Sequence, residues 1–486
     1  MAENIYFSPW FIFSMKRRQF IAGSSAIAAA TLLARCANQP TSPGDGAPLR
    51  SQNGRLDCDL TAELTSVPLA QGKAHLMDYN GQVPGPRLEA VPGDTVRIRF
   101  TNRLDEPTNL HFHGLHISPT GAGDNPFRRV DPGQTVDYEF TIPEDHPGGL
   151  FWYHPHFHGR VARQVSHGLA GPLVIRSAID AIPEFQAAQE AIVILQDFDL
   201  DRRGRVKEPQ PVFRMWGREG DLMTVNGQTD PTFPLAQGGL LRLRLLNASA
   251  SRMYHLRLQD HPWYLAATDG IALAAPVKRR EMLLAPGERT DLLVPGHQKP
   301  GTYPLLSLPY DRGITAMAQD MGIGEVDIPK EPIQLGAVTY QGEQPAFPLP
   351  TAFEPITPLP EPDVVREFVL DHGIDPDTQD PFLINGRAFN HQRVNHQINL
   401  GAVEDWVITN NAGMDHPFHI HTNAFQVVSR NGQPEPLLAW KDVVNIPAYE
   451  TVRIRIPFRD FAGKTVYHCH ILDHEDKGMM GIVEIS

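Results

Sequence analysis

The stretch His468-Cys469-His470, within HCHILDHEDKGMM at residues 468–480, decides how the whole chain is interpreted. Successive side chains of a β-strand point to opposite faces, so an extended stretch places Cys469 on one face and both histidines on the other. A thiolate on one face and two imidazoles on the other predict two separate metal sites joined by single peptide units. His474 and Met479 follow at short spacing and add an imidazole and a thioether to the Cys469 side.

Two His, one Cys and a distant Met form the ligand set of a blue-copper electron-transfer centre. The motif HPFHIH at His416–His421 supplies the further imidazole. A single Cys or His in an apolar strand is usually a core residue, but repetition argues against that interpretation here. Four separate His-x-His pairs each put two imidazoles on one face of an extended segment. They are His111/His113, His154/His156, His419/His421 and His468/His470.

Composition indicates a large globular protein that is rich in turns. The chain has 486 residues, which suggests three domains at about 150 residues each. It contains 44 Pro and 40 Gly, and its formal net charge is −13. An acidic chain argues against nucleic acid as a partner and gives no reason to invoke an anionic membrane surface.

The N-terminus is typical of an export signal. A twin-arginine start at Met15–Ile21 precedes an uncharged, mildly apolar run over residues 20–34. The run is shorter than the ~20 residues that a membrane-spanning helix needs, so we expect export by the twin-arginine machinery to a bacterial periplasm without stable membrane insertion. Met1 or Met15 is the true start. Arg35 stands where a lipoprotein box needs a small residue, which disfavours lipidation of Cys36.

An internal repeat organises the rest of the chain. Asn-Gly recurs early in each third, at Asn80, Asn226 and Asn385, among short alternating runs typical of β-sandwiches. The middle third has no His-x-His pair. We therefore predict a signal and linker at 1–50, β-domains at 51–180, 181–335 and 363–486, and a linker at 336–362. A metal cluster would lie between the first and third domains, with the middle domain as a spacer.

These motifs identify a family resemblance. HFHG, WYHPH, HPFHIH and HCHxxxHxxxxM occur in the order found in three-domain multicopper oxidases, the laccase-like group that includes bacterial copper-efflux and bilirubin oxidases. The resemblance covers residues from about 57 to 486. It implies an all-β fold of three tandem cupredoxin-like Greek-key sandwiches, four coppers per chain, and reduction of O2 to two waters.

The resemblance also implies a role for each ligand. Type 1 copper would be held by His416, Cys469 and His474, with Met479 axial. Type 2 copper would be held by His111 and His419. One type 3 copper would take His113, His154 and His470, and the other His156, His421 and His468. Asp124 and Glu475 resemble the acidic proton donors of the family.

The electron donor is less defined by the sequence. Copper-efflux members of the family carry a Met-rich insert, whereas residues 309–362 contain only Met317 and Met321. Since Cu(I) needs several soft thioether ligands, we favour phenols and aromatic amines as donors, with Cu(I) as the alternative. A copper-free structural or cell-division relative is an alternative of another class.

Family members of this architecture are often monomers. Cys58 is expected to be buried or inert.

Overall fold

The recurring Asn-Gly turn has the same conformation in all three thirds of the chain. The computed structural model describes residues 47–70, 72–320, 322, 328 and 330–486. Asn80, Asn226 and Asn385 have φ values of 56°, 53° and 53°, and a left-handed glycine follows each of them. Each asparagine side chain accepts a backbone N–H from a neighbouring strand and donates to a carbonyl two residues earlier in that strand. Asn and Gly tolerate this conformation best, which explains why the pair recurs.

The first third folds into two sheets. Its strands are β1 (Leu49–Arg50), β2 (Arg55–Leu69), β3 (Gly72–Tyr79), β4 (Leu88–Ala90), β5 (Thr95–Asn102), β6 (His111–His113), β7 (Thr135–Thr141), β8 (Gly149–His154) and β9 (Gly171–Ile175). The sheet orders are β1-β4-β9-β8-β6 and β3-β2-β5-β7. A short helix, Val161–Ser166, follows β8. Strands β6 and β8 pair so that His111 lies opposite His154.

The middle third repeats this plan. Its strands are β10 (Gln189–Phe198), β11 (Leu222–Val225), β12 (Thr232–Gln237), β13 (Leu240–Asn247), β14 (Tyr254–Leu258), β15 (Trp263–Thr268), β16 (Ile271–Arg279), β17 (Glu281–Leu284), β18 (Arg289–Pro295), β19 (Thr302–Leu308) and β20 (Ile333–Glu343). The sheet orders are β11-β10-β13-β18-β15-β16 and β12-β20-β19-β14-β17. The helical segments are Ala178–Ala181, Pro183–Ala187, Pro211–Arg214 and Ile314–Asp320.

The last third again forms two sheets. Its strands are β21 (Val364–His372), β22 (Phe382–Ile384), β23 (His396–Ile398), β24 (Val403–Asn410), β25 (His416–Ile420), β26 (Phe425–Arg430), β27 (Gln433–Pro434), β28 (Trp440–Lys441), β29 (Val443–Ile446), β30 (Thr451–Pro457), β31 (Gly463–Cys469) and β32 (Met480–Ile485). The orders are β22-β21-β24-β30-β26-β27, with β28 also on β26, and β23-β32-β31-β25-β29. The helix Leu472–Glu475 follows β31.

One strand arrangement is common to the three thirds. The strand that hydrogen-bonds to the asparagine side chain of each Asn-Gly turn pairs in parallel with a later long strand, as β2 with β5, β10 with β13 and β21 with β24. That second strand then pairs antiparallel with β7, β18 or β30. A parallel neighbour reached by a long connection marks a Greek-key-like sandwich rather than a meander. The predicted all-β class and threefold repeat are therefore confirmed.

Period-2 burial explains these strands. In β5, Val96, Ile98 and Phe100 are buried, whereas Arg97 and Arg99 point to solvent. Alternation of this kind places one face of a strand in the sandwich core. Each third has its own buried cluster, and the cluster of the last third includes Cys469 and Met479. Met480 packs instead in a separate cluster with Phe389, Val466 and Ile482.

The remaining sequence predictions concern the export signal, membrane insertion, and the two cysteines other than Cys469. The export signal and Cys36 lie at residues 1–46, outside the described residues. Within the described ranges, no helix combines the length and apolar character needed to cross a bilayer. Cys58 is partly buried on β2, and burial raises the pKa of its thiol to about 12, which disfavours the reactive thiolate at neutral pH.

Candidate metal centre

Strand β31 presents its Cys and His side chains to different surroundings. Cys469 lies in the apolar core of the last domain, with Met479 in the same cluster. His468 and His470, on either side of it, contact histidines of the first domain instead. All three side chains are fully buried. The two-faced arrangement predicted for the His-Cys-His stretch is what the structure shows.

The Cys469 side forms a compact triad with two histidines. Nδ1 of His416 lies 3.4 Å from Sγ of Cys469, and Nδ1 of His474 lies 3.8 Å from it. The two Nδ1 atoms are 3.2 Å apart. Met479 is joined to this triad through its backbone, since its N–H donates to the carbonyl of His474 and its carbonyl accepts from the N–H of Cys469.

His474 is oriented by residues that surround its ring. Its Nε2–H donates to the carbonyl of Met215 at 3.0 Å, which leaves the lone pair of Nδ1 toward Cys469. The Phe382 ring stacks on the imidazole, with 4.0 Å between ring centroids. His372 approaches the triad from the side, with its ring centroid 5.4 Å from that of His416. Met215 belongs to the middle domain, and none of the sequence motifs includes it.

Three imidazoles from two domains converge on one point. Nε2 of His156 lies 3.1 Å from Nε2 of His468 and 3.1 Å from Nε2 of His421. The third distance, between Nε2 of His421 and Nε2 of His468, is 3.3 Å. Three nitrogen lone pairs directed at one point suit a shared cation. This triad coincides with one of the predicted type 3 sets.

The other five motif histidines lie in the same cluster, and the predicted type 2 pair, His111 and His419, falls within one of its ligand groups. The ligand atoms of His111 fall within 4.8 Å of those of His113 and His154, and also of those of His419 and His421. His470 lies farther away, with its ring centroid 5.1 Å from that of His113 and 5.8 Å from that of His154. The structure therefore brings all eight paired histidines together, whereas their division among individual ions stays a prediction.

Hydrogen bonds fix which nitrogen faces the cluster in several of these rings. Nδ1–H of His154 donates to the Pro155 carbonyl, and Nδ1–H of His468 donates to the Cys469 carbonyl. Among the described residues, several opposite nitrogens are buried and have no hydrogen-bond partner, namely Nε2 of His111, His154 and His419 and Nδ1 of His113. Buried polar atoms are normally paired, so a convergent set of unpaired nitrogens fits a metal cluster.

The protonation state of these rings also fits metal binding. Burial lowers the pKa of all ten motif histidines, and neighbouring imidazoles add to the effect in the cluster. The rings are therefore neutral and keep a free lone pair. Burial raises the pKa of the Cys469 thiol, so ligation there requires loss of its proton.

The two predicted acids are both beside the cluster. Asp124 is buried and accepts from Nδ1–H of His111 at 2.8 Å and from the N–H of Phe112 at 2.8 Å. Burial raises its pKa to about 7. Glu475 is fully buried, with Oε2 3.2 Å from Nδ1 of His468 and Oε1 3.4 Å from Nε2 of His156. Burial raises the pKa of Glu475 well above its usual value.

Other histidines near the motifs have different roles. Nδ1–H of His116 donates to the Thr422 carbonyl, and its Nε2 pairs with Asp460 near the surface. Nδ1–H of His167 donates to the Arg163 carbonyl. The ring of His158 contacts that of Phe389 at a tilted angle, with 4.6 Å between the ring centroids. None of these three belongs to a convergent ligand group among the described residues.

The middle domain contacts the histidine cluster. Its interpretation as a spacer had predicted no such contact. Arg289 and Gly287 lie against the first and third domains at the cluster, and Asp442 of the third domain links Arg289 to two of the histidines. The sequence offered one signal, LAPGERTDLLV in the middle third, which the repeat had identified only as scaffold.

Comparison with known sequences agrees with this geometry. Three profiles described as multicopper oxidase match residues 61–179, 199–321 and 360–486. A multicopper oxidase mco of Staphylococcus aureus is 29% identical over 92% of this chain and 93% of its own length. A cell division protein FtsP of Yersinia pestis is 31% identical over 96% of this chain and 98% of its own.

Solved structures show the same relationship. A multicopper oxidase from Campylobacter jejuni, described as a metallo-oxidase, aligns with a TM-score of 0.80 and 30% identity over 92% of this chain and 96% of its own. A laccase-like CueO from Ochrobactrum sp., described as active towards lignin model compounds, aligns with a TM-score of 0.78 and 27% identity over 91% and 100%. The chain therefore belongs to the multicopper oxidases, oxygen-dependent oxidoreductases that use copper and have cupredoxin-type domains.

Proposed function

We propose that the chain binds four coppers and couples four one-electron oxidations of an organic donor to the reduction of one O2, with four protons, to two waters. The type 1 ligands are His416, Cys469, His474 and Met479. The type 2 ligands are His111 and His419. The type 3 ligands are His113, His154 and His470 for one ion and His156, His421 and His468 for the other.

The observation that carries this proposal is the position of Cys469 between the two ligand sets. Its thiol belongs to the His416 triad, and the residues on either side of it belong to the eight-histidine cluster. Bound copper at these two places would supply one-electron exchange with the donor and storage of the four electrons that O2 needs. The chain itself supplies the covalent connection, which runs from the thiol through one residue to His468 or His470.

Asp124 and Glu475 are proposed to hold protons at the cluster. Asp124 lies against His111, and Glu475 lies against both His156 and His468. Their positions near opposite sets of histidines suit delivery of protons to oxygen atoms released as water. Their burial excludes bulk water from this delivery.

Phenols and aromatic amines are the proposed donors. The laccase-like Ochrobactrum structure, described as active towards lignin model compounds, supports this class. The ring of His474 is fully buried and donates to the Met215 carbonyl, so a donor meets protein rather than the imidazole edge. Electrons from the donor then have to cross the segment that contains Met215.

Cu(I) is a second candidate donor, for one specific reason. Met317 is buried in the core cluster that contains Cys469, and Met215 packs against the same cluster. Thioethers are soft ligands that suit Cu(I), and the backbone carbonyl of Met215 accepts from His474 of the triad. The similarity to a structure described as a metallo-oxidase agrees with this alternative. Met321, the other methionine of this region, lies outside the described residues.

A role in cell division is the alternative of another class, and similarity to FtsP raises it. The complete ligand set favours the oxidase, because packing alone does not explain why ten buried, neutral histidines and a buried thiol lie together.

We further propose that the protein is a monomer, that it is exported to the periplasm by the twin-arginine machinery, and that it binds neither nucleic acid nor a membrane stably.

The test is oxygen uptake by the copper-loaded protein, with a methoxyphenol and with stabilised Cu(I) as separate donors. Faster uptake with the phenol supports the laccase-like function, and faster uptake with Cu(I) supports the second candidate. Copper content distinguishes the classes, since four ions per chain are expected for the oxidase and none for a copper-free relative. A blue protein that takes up no oxygen with either donor would contradict the proposed trinuclear cluster, that is, the one type 2 and two type 3 coppers held by the eight paired histidines.

A further inference from the structure

Arg289 of the middle domain joins all three domains at the edge of the histidine cluster. Its side chain is fully buried at the start of β18. Nη1 and Nη2 each donate at 2.6 Å to one carboxylate oxygen of Asp442 in the last domain. Nε–H donates to the Leu150 carbonyl of the first domain. The remaining donors reach the carbonyls of Gly287 and Asp269, so the guanidinium is fully satisfied.

Asp442, held in place by Arg289, in turn orients two histidines through hydrogen bonds. Its Oδ1 accepts from Nε2–H of His113 at 3.0 Å, and its backbone carbonyl accepts from Nδ1–H of His419 at 2.7 Å. The opposite nitrogens of both rings face the cluster, and the rings stack with 3.9 Å between their centroids. Asp442 therefore selects the tautomer and the direction of two proposed ligands that belong to different domains.

The backbone next to Arg289 forms a wall of the same cluster. A Cβ atom built on Gly287 would lie 2.8 Å from Nε2 of His470 and 3.1 Å from Cε1 of His113. Gly287 also has φ of 84°, in the left-handed region. Only glycine fits both the space and the backbone conformation, so the middle domain approaches the cluster as closely as a chain can.

Asp442 itself is close enough to the histidines to be considered as a ligand, since its oxygen lies within 4.8 Å of ligand atoms of His113 and His419. Both of its oxygens are already bound by the guanidinium of Arg289. A cation at this carboxylate would face that fixed positive charge at close range, which is unfavourable in a buried site. Asp442 is thus suited to orient imidazoles rather than to bind an ion.

We propose that Arg289 is a positioning residue for the trinuclear site, which it holds in register through the contacts of Asp442 with His113 and His419. The middle domain then completes a site to which its described residues contribute no ligand. This inference rests on the proposed function, because it assumes that these histidines bind copper.

The test compares Arg289→Met and Arg289→Lys with the control Arg244→Met. Arg244 is also a fully buried arginine of the middle domain, but it pairs with Asp180 and Glu190. Each purified protein is loaded with copper, and copper per chain, blue absorption and the separate type 1 and type 2 electron paramagnetic resonance signals are measured. Unfolding of each metal-free protein reports the loss of stability.

Arg289→Met is expected to keep the blue absorption and to lose type 2 signal and trinuclear copper, with copper affinity there weaker by roughly 10- to 100-fold. Arg244→Met should be destabilised but keep four coppers. Arg289→Lys should recover part of the type 2 signal, since lysine keeps the positive charge but cannot donate two parallel hydrogen bonds to Asp442 as the guanidinium does. If Arg289→Met does not fold, Arg289→Lys and Asp442→Asn provide the same measurements.

Two results would overturn the inference. One is an unchanged type 2 signal and full copper content in the Arg289 variants. The other is loss of blue and trinuclear copper together, in parallel with Arg244→Met, which would show a purely structural role. Failure of the proposed function has a different signature, because the unsubstituted protein would then itself bind fewer than four coppers or take up no oxygen.

Discussion

Sγ of Cys469 lies 3.4 Å from Nδ1 of His416, whereas its sequence neighbour His468 directs Nε2 to within 3.1 Å of Nε2 of His156 in another domain. One peptide unit therefore connects a thiolate-type triad to an imidazole cluster. This arrangement allows the two centres to be removed separately, because each depends on different side chains.

Replacement of the thiol should remove one centre and spare the other. We expect Cys469→Ser to lose the blue colour and all oxidase activity, because a serine hydroxyl is a poor ligand for copper. Three coppers per chain should remain in the cluster. Cys58→Ser, at the partly buried cysteine of β2, is the control and should stay blue. Retention of blue absorption by Cys469→Ser would contradict the type 1 assignment.

Removal of a cluster histidine should have the opposite effect. We expect His419→Ala to keep the blue centre and to stop oxygen reduction, because Nε2 of His419 is a proposed type 2 ligand and no neighbouring group replaces it. Oxygen uptake and the type 2 resonance signal are measured. His167→Ala, at a buried histidine outside the cluster, should retain both. Unchanged turnover in His419→Ala would show that the type 2 assignment is wrong.

Glu475 offers a test of proton delivery. Glu475→Gln keeps the shape of the side chain but has no transferable proton, so we expect oxygen uptake to fall on the order of 10²-fold while copper content is retained. The measurement is the rate of oxygen uptake at saturating donor. Glu89→Gln, at a buried carboxylate paired with arginines in the first domain, is the control. Equal rates in Glu475→Gln and the unsubstituted protein would exclude Glu475 as a proton donor.

The donor can be tested with Met317, which belongs to the core cluster that contains Cys469, and Met215, which packs against that cluster. If Cu(I) is a donor, the double substitution Met215→Leu and Met317→Leu should slow uptake with Cu(I) and leave uptake with the phenol unchanged, because leucine fills similar volume without a thioether. Met77→Leu, in the core of the first domain, is the matched control. An equal decrease with both donors would indicate altered packing around His474 rather than a Cu(I) site.

Asp476 provides a prediction about stability. Its carboxylate accepts the N–H groups of Gly159, Val161 and Ala162, so the last domain caps the helix Val161–Ser166 of the first. We expect Asp476→Ala to lower the free energy of unfolding by about 2 kcal/mol, the upper range for loss of a helix cap. Chemical unfolding of the metal-free protein measures it. Glu361→Ala, at an exposed carboxylate, should change the unfolding free energy far less; equal losses would contradict the capping role.

Much of the site could be predicted because it is encoded locally. The two-residue period of a strand places Cys469 on one face and its two neighbours on the other. The members of each His-x-His pair are two residues apart, so the sequence predicts that both imidazoles lie on the same face of the strand. The Asn-Gly turns marked the repeat because their conformation restricts which residues can occupy them.

The remaining features depend on distant parts of the chain. Arg289 and Asp442 are 153 residues apart, and neither lies in a motif that names a ligand. Their contact requires the docking of two domains, which hydrophobic periodicity does not describe. The grouping of His111, His113 and His470 around individual ions likewise depends on ring positions after docking. The interpretation of the middle domain as a spacer was incomplete for the same reason.

The separation of His156 and His468 by 312 residues has a consequence for the order of events in the cell. A ribosome completes the first domain long before it adds the strand that carries Cys469. During that interval the early histidines lack their partners, and any ion they capture is held by an incomplete set. Correct loading therefore follows the end of translation, when the final strand joins the first domain and both centres form together.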